Sequence, residues 1–174
     1  MSPVSKHVLV LVGLKGAGKT TIGAFLERAF GLRFLRVEPL WIEHRRDPRN
    51  DDWERDGYQK VANAVRGELV AHDVVVIELT GASAWTKTFV DQLRTLAKVH
   101  LARVEAPPEV CLGRVRGRDA TDHIPVSDER VAEINAAAAS VSLTFDASFA
   151  NVAPWDEGAS RTHLRALLQR LGLG

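Results

Sequence analysis

Eight residues near the start of the chain, GLKGAGKT (13–20), place two of their three glycines, a lysine and a threonine in the order G-x-x-x-x-G-K-[ST]. Glycines let a backbone curl until successive N–H groups face one concavity, and a helix that starts there adds partial positive charge. The chemistry of such a loop is capture of a nucleoside triphosphate tail. Gly13, Leu14, Lys15, Gly16, Ala17 and Gly18 would supply the backbone cradle, and Thr21 would follow at the helix start. Lys19 would bridge the terminal phosphates as a point charge, and the Thr20 hydroxyl would ligate Mg²⁺. The alternative, a glycine-rich turn that binds nothing, does not need a lysine and a threonine at those offsets.

A second support for magnesium is expected from an acid at the end of a buried strand. The run DVVVIEL (73–79) offers Glu78 there, although the same residue could serve only as a solubilising strand end.

Positioning these groups requires a strand before the loop and a helix after it. His7 to Val12 is apolar and stops at Gly13, as a strand covered on both faces would. Ile22, Phe25, Leu26 and Ala29 then form one face of a helix over 19–30, with Gly31 as its stop. Strands are expected at 34–37, 73–79, 99–104 and 144–149. Helices are expected at 53–72, around 89–96, at 107–116, from Ser127 as N-cap, and over a final leucine stripe at 164–171. Alternating β and α elements imply an α/β fold, a parallel sheet covered by helices on both faces. Periodicity leaves the strand order open.

At 174 residues, with 45% hydrophobic and 26% charged residues, the chain fits one globular domain over 1–174. A net charge of +1 provides no global field for nucleic acid or an anionic membrane. The lone Cys111 suits a reducing compartment, and no run approaches the length of a bilayer span. The expectation is a cytoplasmic protein with no membrane partner. The six histidines show no metal-ligand spacing.

On the phosphate loop, the strand–loop–helix context and the length of the intervening segments, the chain resembles the P-loop small-molecule and nucleotide kinases: adenylate, shikimate, gluconate and adenylylsulfate kinases. The resemblance implies a three-layer sandwich around a five-stranded parallel sheet in order 2-3-1-4-5, the P-loop nucleoside triphosphate hydrolase fold. It further implies a substrate-binding insertion at about 38–60 and a lid at about 116–127. In RVRGR (114–118) it assigns Arg114 to the adenine and Arg118 to the migrating phosphoryl group, with Arg116 left open. In VEPLWIEHRR (37–46) it assigns Glu38 to the receiving hydroxyl, as base or as positioning group, and Arg45 or Arg46 to an anionic group of the acceptor. Thr80 and Gly81 of TGAS would approach that acceptor, unless the turn is only a connection capped by Ser83. Asn151 would read the base edge. Trp41 and Trp53 would either line the acceptor pocket or cover the core, and His123 is the histidine singled out for function.

The function so implied is transfer of the ATP γ-phosphoryl group to a hydroxyl or phosphate of a small molecule, with Mg²⁺. Two other readings stay open. A polynucleotide 5′-hydroxyl kinase would use Arg45, Arg46 and Arg49 as phosphate contacts. A nucleotide-dependent switch would signal to partners, though the chain has no N-K-x-D guanine-reading motif.

Overall fold

The computed structural model describes residues 5–118, 123–151 and 154–174. Its centre is β1 (His7–Val12), hydrogen-bonded in parallel to β3 (Val74–Leu79) on one side and β4 (Lys98–Glu105) on the other. Two short strands complete the sheet, β2 (Arg33–Phe34) beside β3 and β5 (Ala147–Ala150) beside β4. The order is β2-β3-β1-β4-β5, which is the order the kinase resemblance implied.

Successive side chains of a strand point to opposite faces, so an uninterrupted apolar run fills two cores at once. Leu9, Leu11 and Val76 pack with Ile22, Phe25 and Leu26 of α1 (Lys19–Phe30) and with Leu164 and Leu168 of α7 (Glu157–Leu171). Val8, Val10, Val75 and Ile77 pack with Val61, Val65 and Leu69 of α3 (Trp53–Ala71) and with Phe89 and Leu93 of α4 (Thr86–Arg94). Each of these side chains stabilises the fold by about 1.5–3 kcal/mol relative to exposure. That burial makes the sheet rigid enough to carry a loop at its carboxyl end.

Three elements differ from the sequence expectation. β2 ends at Phe34 rather than Val37, and Glu38 opens a helix, α2 (Glu38–His44), with Pro39 in its first turn. The charged stretch 43–56 hides His44, which is only 2% exposed. Its ring stacks on Trp53, with Nδ1 3.0 Å from Asp47 and Nε2 2.6 Å from the Trp53 carbonyl. The last strand begins at Ala147, and the Asp146 carboxylate just ahead of it accepts from the Leu101 N–H.

Two helices frame the expected lid, α5 (Pro108–Arg116) and α6 (Asp128–Ser140). Ser127 caps α6 as expected, its hydroxyl accepting from Arg130 N–H. Residues 119–122 of that lid fall outside the described residues. No described helix is long and apolar enough to cross a membrane.

Candidate active site

Register brings the chemistry together. Leu11 lies opposite Glu78 and Val12 opposite Leu79, so the loop leaves β1 beside the acid that ends β3. Gly18 takes φ +94° as α1 begins, and a Cβ there would collide with the Asn151 amide. Gly13 passes so close to the Val104 carbonyl that no side chain fits between them. Both glycines therefore hold the loop in a shape that larger residues would deform.

Lys19 is 7% exposed, and its ammonium donates to the carbonyls of Gly13 at 2.7 Å and Leu14 at 2.8 Å. Burial lowers its pKa to about 8; Glu78 works against that fall, while Arg118 and Lys15 add to it. The lysine is thus a partly desolvated charge at the mouth of the cradle.

Thr20 Oγ1 donates to Glu78 Oε2 at 2.7 Å, so the two expected magnesium ligands meet. The other Glu78 oxygen, Oε1, is buried without a hydrogen-bond partner. An orphaned carboxylate oxygen beside a threonine hydroxyl fits Mg²⁺, which takes few protein ligands and completes its shell with water and phosphate oxygens. No cluster of three or more acidic, histidine or cysteine side chains suited to a metal occurs among the described residues.

Glu38 sits at the start of α2 with both carboxylate oxygens engaged. Oε1 accepts from Ile124 N–H at 2.9 Å and lies 3.5 Å from the Lys15 ammonium, and Oε2 faces His123 Nδ1 at 2.9 Å. Burial pushes this carboxyl up, but the Ile124 and His123 hydrogen bonds and the Lys15 charge outweigh it and hold it below the ordinary range. Glu38 thereby ties α2 to the segment ahead of α6. His123 is its main side-chain partner there, a stronger role than the sequence suggested.

Arg118 lines the same cavity as Lys19 and Glu38, as do Thr80, Trp41 and Tyr58. Burial pushes the Tyr58 phenol above its usual pKa. Gly81 lies on the far side of Thr80, in a separate cleft behind the loop. Arg45 and Arg46 are exposed on the turn that ends α2, and Thr21 is exposed on α1.

Arg114 and Asn151 both face the back of the loop. Arg114 reaches the carbonyls of Gly16, Ala17 and Asn151 at 3.1–3.5 Å, and the Asn151 amide donates to the Ala17 carbonyl at 2.9 Å. In this arrangement both brace the cradle. Arg116 turns outward to Asp128 at 2.6 Å.

One residue escaped the sequence reading. Asn135 on α6 accepts from Lys15 N–H at 2.8 Å through Oδ1, and its amide lies 3.5 Å from the Lys15 carbonyl. A signal was present: Asn135 is the lone polar side chain in INAAAA, four residues after buried Val131 and hence on the same helix face. Asn135→Ala would leave the Lys15 N–H without this partner. A loss of about 1–3 kcal/mol in urea unfolding is expected, together with weaker nucleotide binding.

A five-stranded parallel sheet in this order, with Lys19, Thr20 and Glu78 at its carboxyl edge, defines a phosphate-loop nucleotide-binding protein with the fold of the small-molecule kinases. Residues 8–140 match a family model described as an AAA domain, AAA_33, and the chain belongs to that family. Among solved structures it is similar to a sugar kinase from Janibacter sp. HTCC2649, with TM-score 0.65, 20% identity, and 98% of this chain and 96% of the other covered. It is also similar to the shikimate kinase from Acinetobacter baumannii in complex with shikimate, with TM-score 0.61, 18% identity, and coverage of 97% and 94%. Among curated proteins, the signal recognition particle 54 kDa protein of Archaeoglobus fulgidus is 28% identical over 113 residues, 56% of this chain. The matched stretch spans only 26% of that relative's length.

Proposed function

We propose that the protein is an ATP-dependent phosphotransferase that moves the γ-phosphoryl group to a hydroxyl of a small molecule. One observation carries this reading. A single cavity of about 210 Å³ is walled by the phosphate loop at Lys15 and Lys19, by Thr20 and Glu78, by Glu38 and by Arg118. Donor-side and acceptor-side groups therefore face one shared cavity, as in-line transfer requires.

In this reading the loop N–H groups and Lys19 hold the phosphate tail, and Thr20 and Glu78 hold Mg²⁺. When bound, the ion neutralises charge on the phosphate oxygens. Arg118 offers a guanidinium to the migrating group, whose negative charge is spread over its equatorial oxygens. Glu38 is ionised and doubly hydrogen-bonded, which suits it to orient the receiving hydroxyl and accept its proton late in the transfer.

The test is a metabolite panel incubated with γ-labelled ATP and magnesium, with Lys19→Ala protein as the blank. A labelled product that requires wild-type protein is expected. Release of free phosphate alone, with no labelled acceptor from any panel member, would count against transfer and favour a hydrolytic switch.

A further inference from the structure

Beyond Trp41 the reaction cavity has a neighbour. Trp41 and Ile124 line both the cavity and a second, open cleft of about 410 Å³, bounded by the turn after α2, the start of α3 and the first turn of α6. Arg45, Arg49 and Arg130 converge on this cleft.

Of these arginines, Arg45 and Arg49 are set apart from the carboxylates around them, and Arg130 has one exposed partner. Asp47 is held by Lys60 and His44, Asp52 by Arg55, and Asp128 by Arg116. Arg45 has no carboxylate within ion-pair distance among the described residues, and Arg49 lies over the Trp53 ring, 4.8 Å from its centroid. A guanidinium against an aromatic face loses orientational freedom but keeps its N–H fork for an anion. Arg130 reaches Glu133 at 2.8 Å in an exposed pair, an interaction weak enough to exchange for a stronger partner.

Helix α2 sets the distance between the two spaces. Glu38, Trp41 and Arg45 stand at i, i+3 and i+7, one stripe along its axis, and seven residues rise by roughly 10 Å. A hydroxyl at Glu38 and an anion at Arg45 would therefore lie at opposite ends of a molecule the size of a phosphorylated sugar.

We propose that the arginine cleft beyond Trp41 is an acceptor subsite for a phosphate monoester, so that the acceptor already carries one phosphate before it receives another. Three guanidinium groups match a dianion with three accepting oxygens better than a single carboxylate. The proposal rests on the phosphotransferase reading. In the transfer the bond from Pγ to the β–γ bridging oxygen breaks and its electron pair stays on ADP, the acceptor oxygen bonds to Pγ, and the hydroxyl proton passes to the Glu38 carboxylate and from there to solvent. The product is a bisphosphorylated compound and ADP.

The test uses wild-type protein saturated with magnesium and a non-hydrolysable ATP analogue, so that the phosphate loop is filled. Tryptophan fluorescence, which Trp41 and Trp53 place at the cleft, is then titrated with inorganic phosphate, glucose 6-phosphate, glucose and gluconate. Glucose 6-phosphate should bind at least tenfold more tightly than glucose or gluconate, and inorganic phosphate should compete with it. Arg45→Ala and Arg49→Ala should each weaken that binding about tenfold, with analogue affinity unchanged for Arg49→Ala. Equal affinity for phosphorylated and plain sugar, preference for gluconate, or indifference to both variants overturns the subsite. Binding only of a 5′-phosphorylated oligonucleotide, added as a separate arm, would overturn it in favour of a nucleic-acid end. Failure to bind the ATP analogue would instead sink the phosphotransferase reading, and titration without analogue would still decide the cleft.

Discussion

Lys19→Met should lower turnover by at least about 10²–10³-fold and yet leave the nucleotide-free protein as stable as the wild type, or more so. The first expectation follows from position. The ammonium is the cation closest to the loop carbonyls, and α1's other cationic side chain, Arg28, stands in its last turn. The second follows from its pKa, near 8 in the folded chain against 10.5 for an ordinary lysine. A cationic group with a depressed folded value opposes folding while it is charged. The penalty is fully present below about pH 8 and fades as pH rises from there toward 10.5. At pH 7 it amounts to about 3 kcal/mol. Methionine removes the charge but also gives up the hydrogen bonds to Gly13 and Leu14, so the net Tm at pH 7 should be no lower than wild type. The gap between the two proteins should narrow toward pH 10. Magnesium and ATP should raise the Tm of the wild type and leave that of the variant unmoved. Labelled product from the methionine protein at the wild-type rate would remove Lys19 from the chemistry.

That such a lysine is tolerated shows how the fold divides its work. The two cores around β1 and β3 are legible in the sequence because each strand is apolar at every position, and a strand buried on both faces has no other pattern to show. The phosphate loop is legible because its glycines and its lysine are fixed by backbone geometry. Pairing of Thr20 with Glu78 was also foreseeable, since strand ends in a parallel sheet lie side by side.

Sequence said much less about the acceptor side. The turn from β2 into α2 carries no cap signal, for Val37 precedes a glutamate and a proline rather than serving as a serine or aspartate cap. The run of alternating charges from Glu43 to Asp56 hides the fact that His44 is buried between Trp41 and Trp53. The contacts that organise this side are Glu38 with His123 and Ile124, Lys15 with Asn135, and Arg114 with the loop carbonyls. They join residues about 85 to 120 positions apart. A single sequence has periodicity to reveal elements but nothing to reveal such cross-element pairs. Asn135 is the partial exception, because a lone amide on an alanine-rich face has to find a partner once it is buried.

Glu38 offers the second large effect, and two substitutions separate its two jobs. Glu38→Gln keeps an oxygen that can accept from the Ile124 N–H and removes the charge that faces Lys15 and His123. Turnover should fall by about 10²-fold or more while ATP affinity changes little, since the carboxylate approaches the phosphate loop at the Lys15 ammonium, 3.5 Å away, and the Lys19 ammonium is held by loop carbonyls. Glu38→Ala removes the acceptor as well. Hydrogen exchange at the Ile124 amide should then accelerate in the alanine protein far more than in the glutamine protein. Acid should mimic the loss of charge. The carboxyl is held below its ordinary value in the folded chain, so its contribution is present above that ordinary range and is lost as pH falls through the lower folded value, below 4.5. Protection of the Ile124 amide, relative to its intrinsic exchange at each pH, should accordingly fall only in that acid window. The informative combination is turnover against exchange. A glutamine protein that works normally and also keeps Ile124 protected would show that the charge is idle and that the group orienting the acceptor lies elsewhere. If it fails in turnover with Ile124 still protected, then the negative charge itself acts on the acceptor, and the tie to the segment ahead of α6 is a separate function of the same side chain.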